Sequence, residues 1–569
     1  MIAPPTAPQW VFPSETIDRA RAFGDQLNAP WPLAQALLNR GVRTAAEAGR
    51  FLTPSLDDLH DPAGLLDIEE AATRIMSAIK NGERILVHGD YDVDGITSTY
   101  LLYTVLRDLG GLVEFRIPHR TRDGYGLSVA AIDDAKLRGC SLIVTVDCGI
   151  TALEPVRDAA ARGIDVVITD HHEPPAELPA ARAIVNPHRA GCPYPFKSLA
   201  GVGVTFKLVQ ALLRGRGGLE PAAEYLDVVA LGTIADVVPL LGENRALAGL
   251  GLDRLNARPR IGIQALMQVA GLAGQRISSG QIAFVLAPRI NAGGRMGNAE
   301  QGLRLLLARD RDEALGVAES LEEDNDRRRA IDEQVLIEAS RRVVEELRWP
   351  DCRSILLWSD RWHPGVIGIV ASRLLERFQR PTILVSMNGD RGRGSGRSVA
   401  GLDLNRALHR CSDLLVSFGG HAFAAGLSVE RSRLPELRTR FEELVAAELD
   451  PADIAPRLQI DAELPFRECD VTLASWIERL SPFGLGNTEP VFAATAARIQ
   501  STQTVGGGKH LRLQLSDGTA TTEAIGFGMG ERAREISEAG RCDVAFVPAR
   551  NEWMGETRVQ LKVKAVRLP

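Results

Sequence analysis

The chain has 569 residues, 45% of them hydrophobic, and a formal net charge of −7. That length predicts three or four domains at about 150 residues each, and no apolar run approaches the roughly 18 residues that a transmembrane helix needs. Seven cysteines with no Cys-x-x-Cys pair exclude zinc ribbons and disulfide frameworks, while the net charge excludes a uniformly basic nucleic-acid binder and leaves local positive clusters open.

The start, Met1-Ile2-Ala3-Pro4-Pro5, lacks the basic and apolar segments of a signal peptide, so a cytoplasmic location with reduced thiols is expected. Residues 1–65 are Pro-rich with short helical patterns and read as an N-terminal extension packed on the first domain. From 66 to 250 strands and helices alternate, which predicts a parallel sheet covered on both faces. Arg84-Ile85-Leu86-Val87 reads as a buried strand. It runs into His88-Gly89-Asp90-Tyr91-Asp92-Val93-Asp94-Gly95, and a helix with hydroxyls in its first turn follows from Ile96. His88, Asp90, Asp92 and Asp94 recur with period two, which places them on one side of an extended segment. Carboxylates so close repel one another unless a cation neutralises them, and oxygen with imidazole suits Mn²⁺ or Mg²⁺.

Gly111 to Pro118 is a second strand. The loop after it, His119 to Gly126, reads equally as an ordinary turn or as a phosphate contact by Arg120 or Arg122. Ser141 to Val146 is a third strand, ending in Asp147-Cys148-Gly149, and Asp165 to Thr169 a fourth, ending in Asp170-His171-His172. Open α/β sheets place their ligands at such strand ends. Leu231-Gly232-Thr233-Ile234-Ala235-Asp236 adds an acid on an apolar helical stretch, where a bare carboxylate is costly to bury.

Residues 251–350 are helical, and Glu313 to Leu347 reads as a long exposed connector between lobes. A second α/β domain covers 351–455. In it Arg391 to Arg397, with Ser395 and Ser398 nearby, is either a flexible loop or a phosphate-binding one. Gly419-Gly420-His421 can bring backbone N–H groups close to a phosphate. From 456 to 569 short strands and Gly-rich turns predict a small barrel, with Phe483 and Trp553 as stacking aromatics or as core. Every ligand candidate precedes residue 457, so this last domain is expected to be separable from catalysis.

Asp170-His171-His172, the His88 to Gly95 motif, Val146 to Gly149 and Gly232 to Asp236 together resemble the DHH phosphoesterase superfamily. Pro288 to Gly297, Trp362 to Gly368 and Phe418 to Gly426 resemble, within it, the long-chain single-strand-specific exonucleases of bacteria. The resemblance runs from about 80 to 500, with the motifs in the family's order. It implies an α/β chain: a DHH-type parallel-sheet domain and a DHH-associated α/β domain joined by a long helix, then a C-terminal OB-fold-like β-barrel that binds single strands.

The resemblance further implies a phosphodiesterase using two divalent cations, Mn²⁺ or Mg²⁺. His88, Asp92 and Asp147 are expected to hold one, and Asp94, His171 and Asp236 the other, with Asp147 shared. Asp90, His172 and His421 are expected to act in catalysis, His172 by protonating the leaving 3′ oxygen. Arg120, Tyr125, Arg289, Asn291, Arg295, Arg373, Ser395, Arg397, Gly419, Gly420 and His421 are expected to bind substrate in a cleft too narrow for duplex. The implied reaction is 5′ to 3′ degradation of single-stranded DNA to nucleoside 5′-monophosphates, in repair and recombination. It would be carried out by a monomer away from membranes, with a single-strand-binding protein and a helicase as partners. A small-phosphate or short-oligonucleotide hydrolase shares the metal motifs but needs no barrel after residue 456. A non-catalytic scaffold would have lost ligands, and none is lost.

Overall fold

Five parallel strands carry the acids: β1 (Arg84–His88), β2 (Leu112–Arg116), β3 (Cys140–Val146), β4 (Asp165–Thr169) and β5 (Ala183–Val185). Their spatial order is β2-β1-β3-β4-β5. Ile85, Val87, Val144 and Val167 face a core shared with Leu101, Val105 and Phe206. Leu86, Ile143, Val166 and Ile168 face the opposite core, with Ile132 and Val156. Burial of both faces is why these strands read as continuous apolar runs. The computed structural model describes residues 8–119, 124, 126–450, 456–553 and 556–569, and the side chains of 552 and 553 lie outside it.

Three helices meet at the C-terminal edge of this sheet: α1 (Val93–Asp108), α2 (Gly201–Leu212) and α3 (Leu226–Ala235). Asp92 caps α1 by accepting from Gly95 N–H at 3.1 Å. Helix α2 is pinned by a buried network in which Lys207 Nζ lies 2.7 Å from Glu243 Oε1 and Tyr194 donates to Glu243 Oε2 at 2.6 Å.

Part of the helical stretch 251–350 packs on this domain, including the first turns of the expected connector. Ile263, Leu266, Leu303 and Leu321 pack with Val93, Ile96 and Tyr100 of α1. Helix α4 (Ala287–Met296) follows a π-helical turn at Ile282–Leu286. Pro288 has no N–H for the carbonyl of Phe284 four residues earlier, so the helix widens there. Helix α5 (Arg311–Glu346) is 36 residues long, as the absence of Gly and Pro after Gly316 predicts.

The chain divides into two units. The larger holds 11–294, 298–322 and 459–569, and the smaller holds 323–458 with 295–297 and the chain start. In the smaller unit β6 (Ile355–Ser359), β7 (Thr382–Asn388), β8 (Arg391–Arg397), β9 (Leu415–Gly420) and β10 (Ala424–Glu430) form a sheet in the order β9-β10-β8-β7-β6. Helix α6 (Ile367–Phe378) covers it.

The arginine-glycine stretch is therefore a central strand, β8, and not a loop. Its glycines face the core because neighbouring side chains already fill that space. A Cβ on Gly394 would sit 2.8 Å from Leu427 Cγ, and one on Gly392 would sit 2.5 Å from Val385 Cγ1. With period two, Arg391, Arg393, Ser395 and Arg397 share the other face.

Residues 492–567 close a five-stranded barrel: β11 (Phe492–Val505), β12 (His510–Ser516), β13 (Thr521–Gly526), β14 (Arg541–Trp553) and β15 (Glu556–Arg567). Strand β11 pairs with both β12 and β14, which leaves the barrel no open seam between them. The expected barrel is present, but its segment is not a free attachment. The N-terminal helices Ile17–Leu27, Trp31–Asn39 and Ala45–Leu52 build one core with Leu480, and Trp476 and Phe483 pack at its margin. Phe483 is thus a packing residue, and the side chain of Trp553 lies outside the described residues. Arg245, 2% exposed, donates to the carbonyls of Phe51, Leu480 and Ser481 at 2.7, 2.8 and 2.9 Å. No helix of the described residues is long and apolar enough to cross a membrane.

Candidate active site

Parallel strands β1, β3 and β4 end side by side, so the acidic and histidine residues that follow them converge. Donor atoms of Asp94, His171 and Asp236 lie within 4.8 Å of one another, as do those of Asp90, Asp92 and Asp147, and those of Asp147, His171 and His172. His171 Nε2 stands at the centre, 3.2 Å from Asp147 Oδ1, 3.7 Å from Asp236 Oδ2 and 3.9 Å from Asp94 Oδ2.

Two features hold the acids there. Asp94 accepts from the first amides of α2, Gly201 N–H on Oδ2 and Val202 N–H on Oδ1, both at 2.7 Å. A helix N-terminus is where a carboxylate is best stabilised. Two glycines make room for this packing, Gly201 where α2 meets Asp147 and Gly232 where α3 meets α1 and α2. A Cβ on Gly201 would lie 2.4 Å from Asp147 Oδ1, and one on Gly232 would lie 2.3 Å from Thr97 Oγ1.

The backbone is strained at two points of the cluster. Asp147 has φ 61° and Val237, directly after Asp236, also has φ 61°. Left-handed backbone is uncommon for non-glycine residues and a genuine outlier for a β-branched one.

The electrostatics need a cation. Burial, then the charge of Asp92, raises Asp94 to about 7. Burial, then the charge of Asp94, drives Asp147 and Asp236 well above the ordinary carboxylate range. Burial, then the neighbouring His172, lowers His171 to about 4, which leaves its imidazole neutral and available as a ligand. Asp147 Oδ1, His171 Nε2 and Asp236 Oδ2 are buried and make no hydrogen bond. Buried polar atoms of native proteins are nearly always satisfied. Unsatisfied oxygens and a neutral imidazole converging on one point fit divalent cations of the Mn²⁺ or Mg²⁺ type.

His172 is built differently. Its Nδ1 lies 2.7 Å from Asp170 Oδ1. Asp170 is anchored in turn by the backbone N–H groups of Ile150, His171 and His172. Burial opposes a charged His172, but the hydrogen bond it donates to Asp170 and the charges of Asp170, Asp90 and Asp94 together outweigh it, and the net shift is upward.

Most of the expected ligands therefore meet, with one exchange. His88 joins no ligand group among the described residues, and its Nε2 lies 3.3 Å from the carbonyl of Gly126. Asp90, expected to act in catalysis, lies instead beside Asp92 and Asp147. Period two aligned the four residues, but the backbone turns after His88 and ends the extended segment there.

The expected substrate residues fare unevenly. Arg289 is corrected to a packing role: it is 6% exposed, its guanidinium pairs with both oxygens of Glu322, and it donates to Val285 O at 2.7 Å. Asn291 Oδ1 accepts from Val93 N–H at 3.0 Å and so braces the start of α1. In the smaller unit Arg295 donates to Gly365 O at 3.1 Å and Arg373 lies 3.3 Å from Asp332. Arg397 donates to Ser395 Oγ at 3.1 Å, and both stand against the first turn of α6, where a Cβ on Gly368 would be 3.0 Å from Ser395 Oγ and 3.2 Å from Arg397 Nη2. Gly419 and Gly420 end β9, and the exposed His421 closes the hairpin by donating its N–H to Ala424 O at 2.8 Å. Arg120, Arg122 and Tyr125 lie outside the described residues. Sequence reasoning passed over the amide clamp on Asp94, which depends on residues more than a hundred positions away, and the strain at Val237.

The chain matches three families in succession: the DHH family N-terminal domain over 84–233, the DHHA1 domain over 351–447 and the RecJ OB domain over 460–565. It is similar to the single-stranded-DNA-specific exonuclease RecJ of Bacillus subtilis, 38% identical over 559 residues, covering 98% of this chain and 70% of that one. It is equally similar to the Escherichia coli RecJ, 38% identical over 558 residues, covering 93% and 95%. Among solved structures it is similar to RecJ of Thermus thermophilus in complex with Mn²⁺, with a TM-score of 0.85 at 34% identity over 99% of this chain and 80% of that one. The same relative in complex with Mg²⁺ gives a TM-score of 0.78. With its acidic cluster intact and these relatives matched along most of their length, the chain belongs to the RecJ family of single-stranded-DNA-specific exonucleases.

Proposed function

We propose that this protein is a metal-dependent exonuclease that hydrolyses single-stranded DNA in the 5′ to 3′ direction, releasing nucleoside 5′-monophosphates. The observation that carries the reading is the buried cluster around Asp147, whose unsatisfied donor atoms fit two divalent cations. Asp90, Asp92 and Asp147 would hold one, Asp94, His171 and Asp236 the other, with Asp147 common to both. Bound there, the cations would supply Lewis-acid stabilisation of the phosphoryl oxygens and acidify water in the site.

The chain's own residues supply the rest. The α2 amides fix Asp94, so the cluster is preorganised before substrate arrives. His172, whose hold on a proton is strengthened by Asp170, would give a proton to the leaving 3′ oxygen. In the smaller unit Ser395, Arg397 and the first turn of α6 offer a hydroxyl, a guanidinium and helix amides to a phosphate, the donor set that suits a terminal 5′-phosphate. Arg373, Arg295, His421 and the backbone at Gly419 and Gly420 are further phosphate contacts in this reading, as are Arg120 and Tyr125 of the larger unit.

The domains are read as a catalytic DHH domain, a DHH-associated substrate-binding domain and an OB domain that holds the strand. A cytoplasmic monomer working in repair and recombination beside a helicase and a single-strand-binding protein follows from the family. End-labelled oligonucleotides, single- and double-stranded, with and without Mn²⁺, test the activity. Stepwise shortening of single strands from the 5′ end, dependent on the metal, is expected. Equal attack on duplex, or attack without metal, would overturn it.

A further inference from the structure

Helix α3 ends at Asp236, whose N–H donates to Gly232 O at 2.9 Å. The next residue, Val237, takes the left-handed conformation that closes such a helix end, with φ 61°. Glycine is the usual residue at that position, because it adopts the conformation without steric penalty. Among the described non-glycine residues with positive φ (Asn28, Asp67, Asp147, Val237, Arg348, Gln379 and Ala496), only Val237 is β-branched.

Packing does not explain it. Val237 is 62% exposed, against 5% for Ile234 one turn earlier. A strained, exposed valine therefore buries little of itself within the protein. What it offers is an isopropyl group facing solvent, one residue from an acid of the metal cluster and so about 3.8 Å along the chain.

We propose that Val237 is a substrate-positioning residue. Its side chain packs against the base of a nucleotide adjoining the scissile phosphate and sets the direction in which that base leaves the metal cluster. The occupant is a nucleobase rather than a phosphate, since an isopropyl group is apolar and offers no hydrogen-bond donor. Such contact is tolerant of sequence, because every base presents an apolar face. The proposal rests on the nuclease reading above.

The test compares wild type with Val237→Gly on three 5′-phosphorylated strands: one fully natural, one abasic at the first nucleotide and one abasic at the second. Thermal unfolding and Mn²⁺ binding are measured alongside. Glycine relieves the strained backbone, so the variant should unfold at the same or a higher temperature and bind Mn²⁺ as wild type does. Its kcat/KM on the natural strand should fall about 3- to 10-fold, mainly through KM. On one of the two abasic strands the two proteins should become equal, since the contact is already missing there. Equal activity on the natural strand, the same loss on all three strands, or weakened Mn²⁺ binding would overturn the role. A wild type that hydrolyses none of the strands would instead refute the nuclease reading, which separates the two failures.

Discussion

The carboxylate of Asp94 accepts the backbone N–H of Gly201 at 2.7 Å, so the first turn of one helix holds an acid from the first turn of another. This clamp sets the position of the whole cluster, because Gly201 also lies against Asp147. A methyl group at 201 would stand 2.4 Å from Asp147 Oδ1.

Gly201→Ala should therefore push the shared carboxylate out of place. Loss of outer supports typically weakens metal binding about 10- to 100-fold, and a loss of at least that size is expected in Mn²⁺ titration calorimetry. The circular dichroism spectrum should be unchanged. Unaltered Mn²⁺ affinity would show that the cluster tolerates displacement of Asp147.

The pH dependence of ion-free stability has a definite sign. Asp94 titrates at about 7 in the folded chain against an ordinary 3.8, and Asp147 and Asp236 are raised well above that value too. Each binds its proton more tightly when folded, so this contribution to stability is complete below about pH 4 and falls as pH rises, the share of Asp94 being lost through 7. After EDTA treatment the melting temperature should be several degrees lower at about pH 8 than at about pH 6. Excess Mg²⁺ or Mn²⁺ should close the gap, since cations replace the protons. An ion-free melting temperature that rises over this interval would contradict the assignment.

Asp170 should govern the alkaline limb of the rate profile. Asp170→Asn removes a charge that raises the affinity of His172 for its proton. If His172 gives its proton to the leaving oxygen, the fall in kcat at high pH should move to lower pH in the variant. A limb that stays in place would assign the proton to another group.

Arg397→Ala should selectively harm strands that carry a 5′-phosphate. Hydrogen bonds to charged groups contribute about 1.5–3 kcal/mol, so kcat/KM on such strands should fall tenfold or more and approach that on 5′-hydroxyl strands. Mn²⁺ affinity should hold. An equal loss on both substrates would make Arg397 a general backbone contact.

How far the sequence reached is clear from particular residues. Strand-end acids were legible because parallel strands are short apolar runs and the chemistry follows each at once, as at Val146-Asp147 and Thr169-Asp170. The exchange of His88 for Asp90 was not, because period two holds only while the chain stays extended. The strand at Arg391 to Arg397 was hidden by its glycines, whose reason lies in Leu427 and Val385, residues remote or on another strand. Arg289 looked like a phosphate ligand until its partner Glu322, on α5, came into view. The C-terminal segment looked separable because all ligands precede it, yet it completes the N-terminal core at Leu480 and satisfies Arg245. Truncation near Arg457 leaves that guanidinium short of acceptors and is expected to destabilise the catalytic unit as well.

The central claim is that Asp147 joins two cation sites that perform the hydrolysis. Mn²⁺ stoichiometry and 5′ to 3′ degradation of an end-labelled single strand, measured on wild type and on Asp147→Ala, test it most directly. Wild type should bind two Mn²⁺ per chain, and the variant should fold, lose at least one of them and leave the strand intact. Near-normal degradation by Asp147→Ala in excess Mn²⁺ would contradict the account.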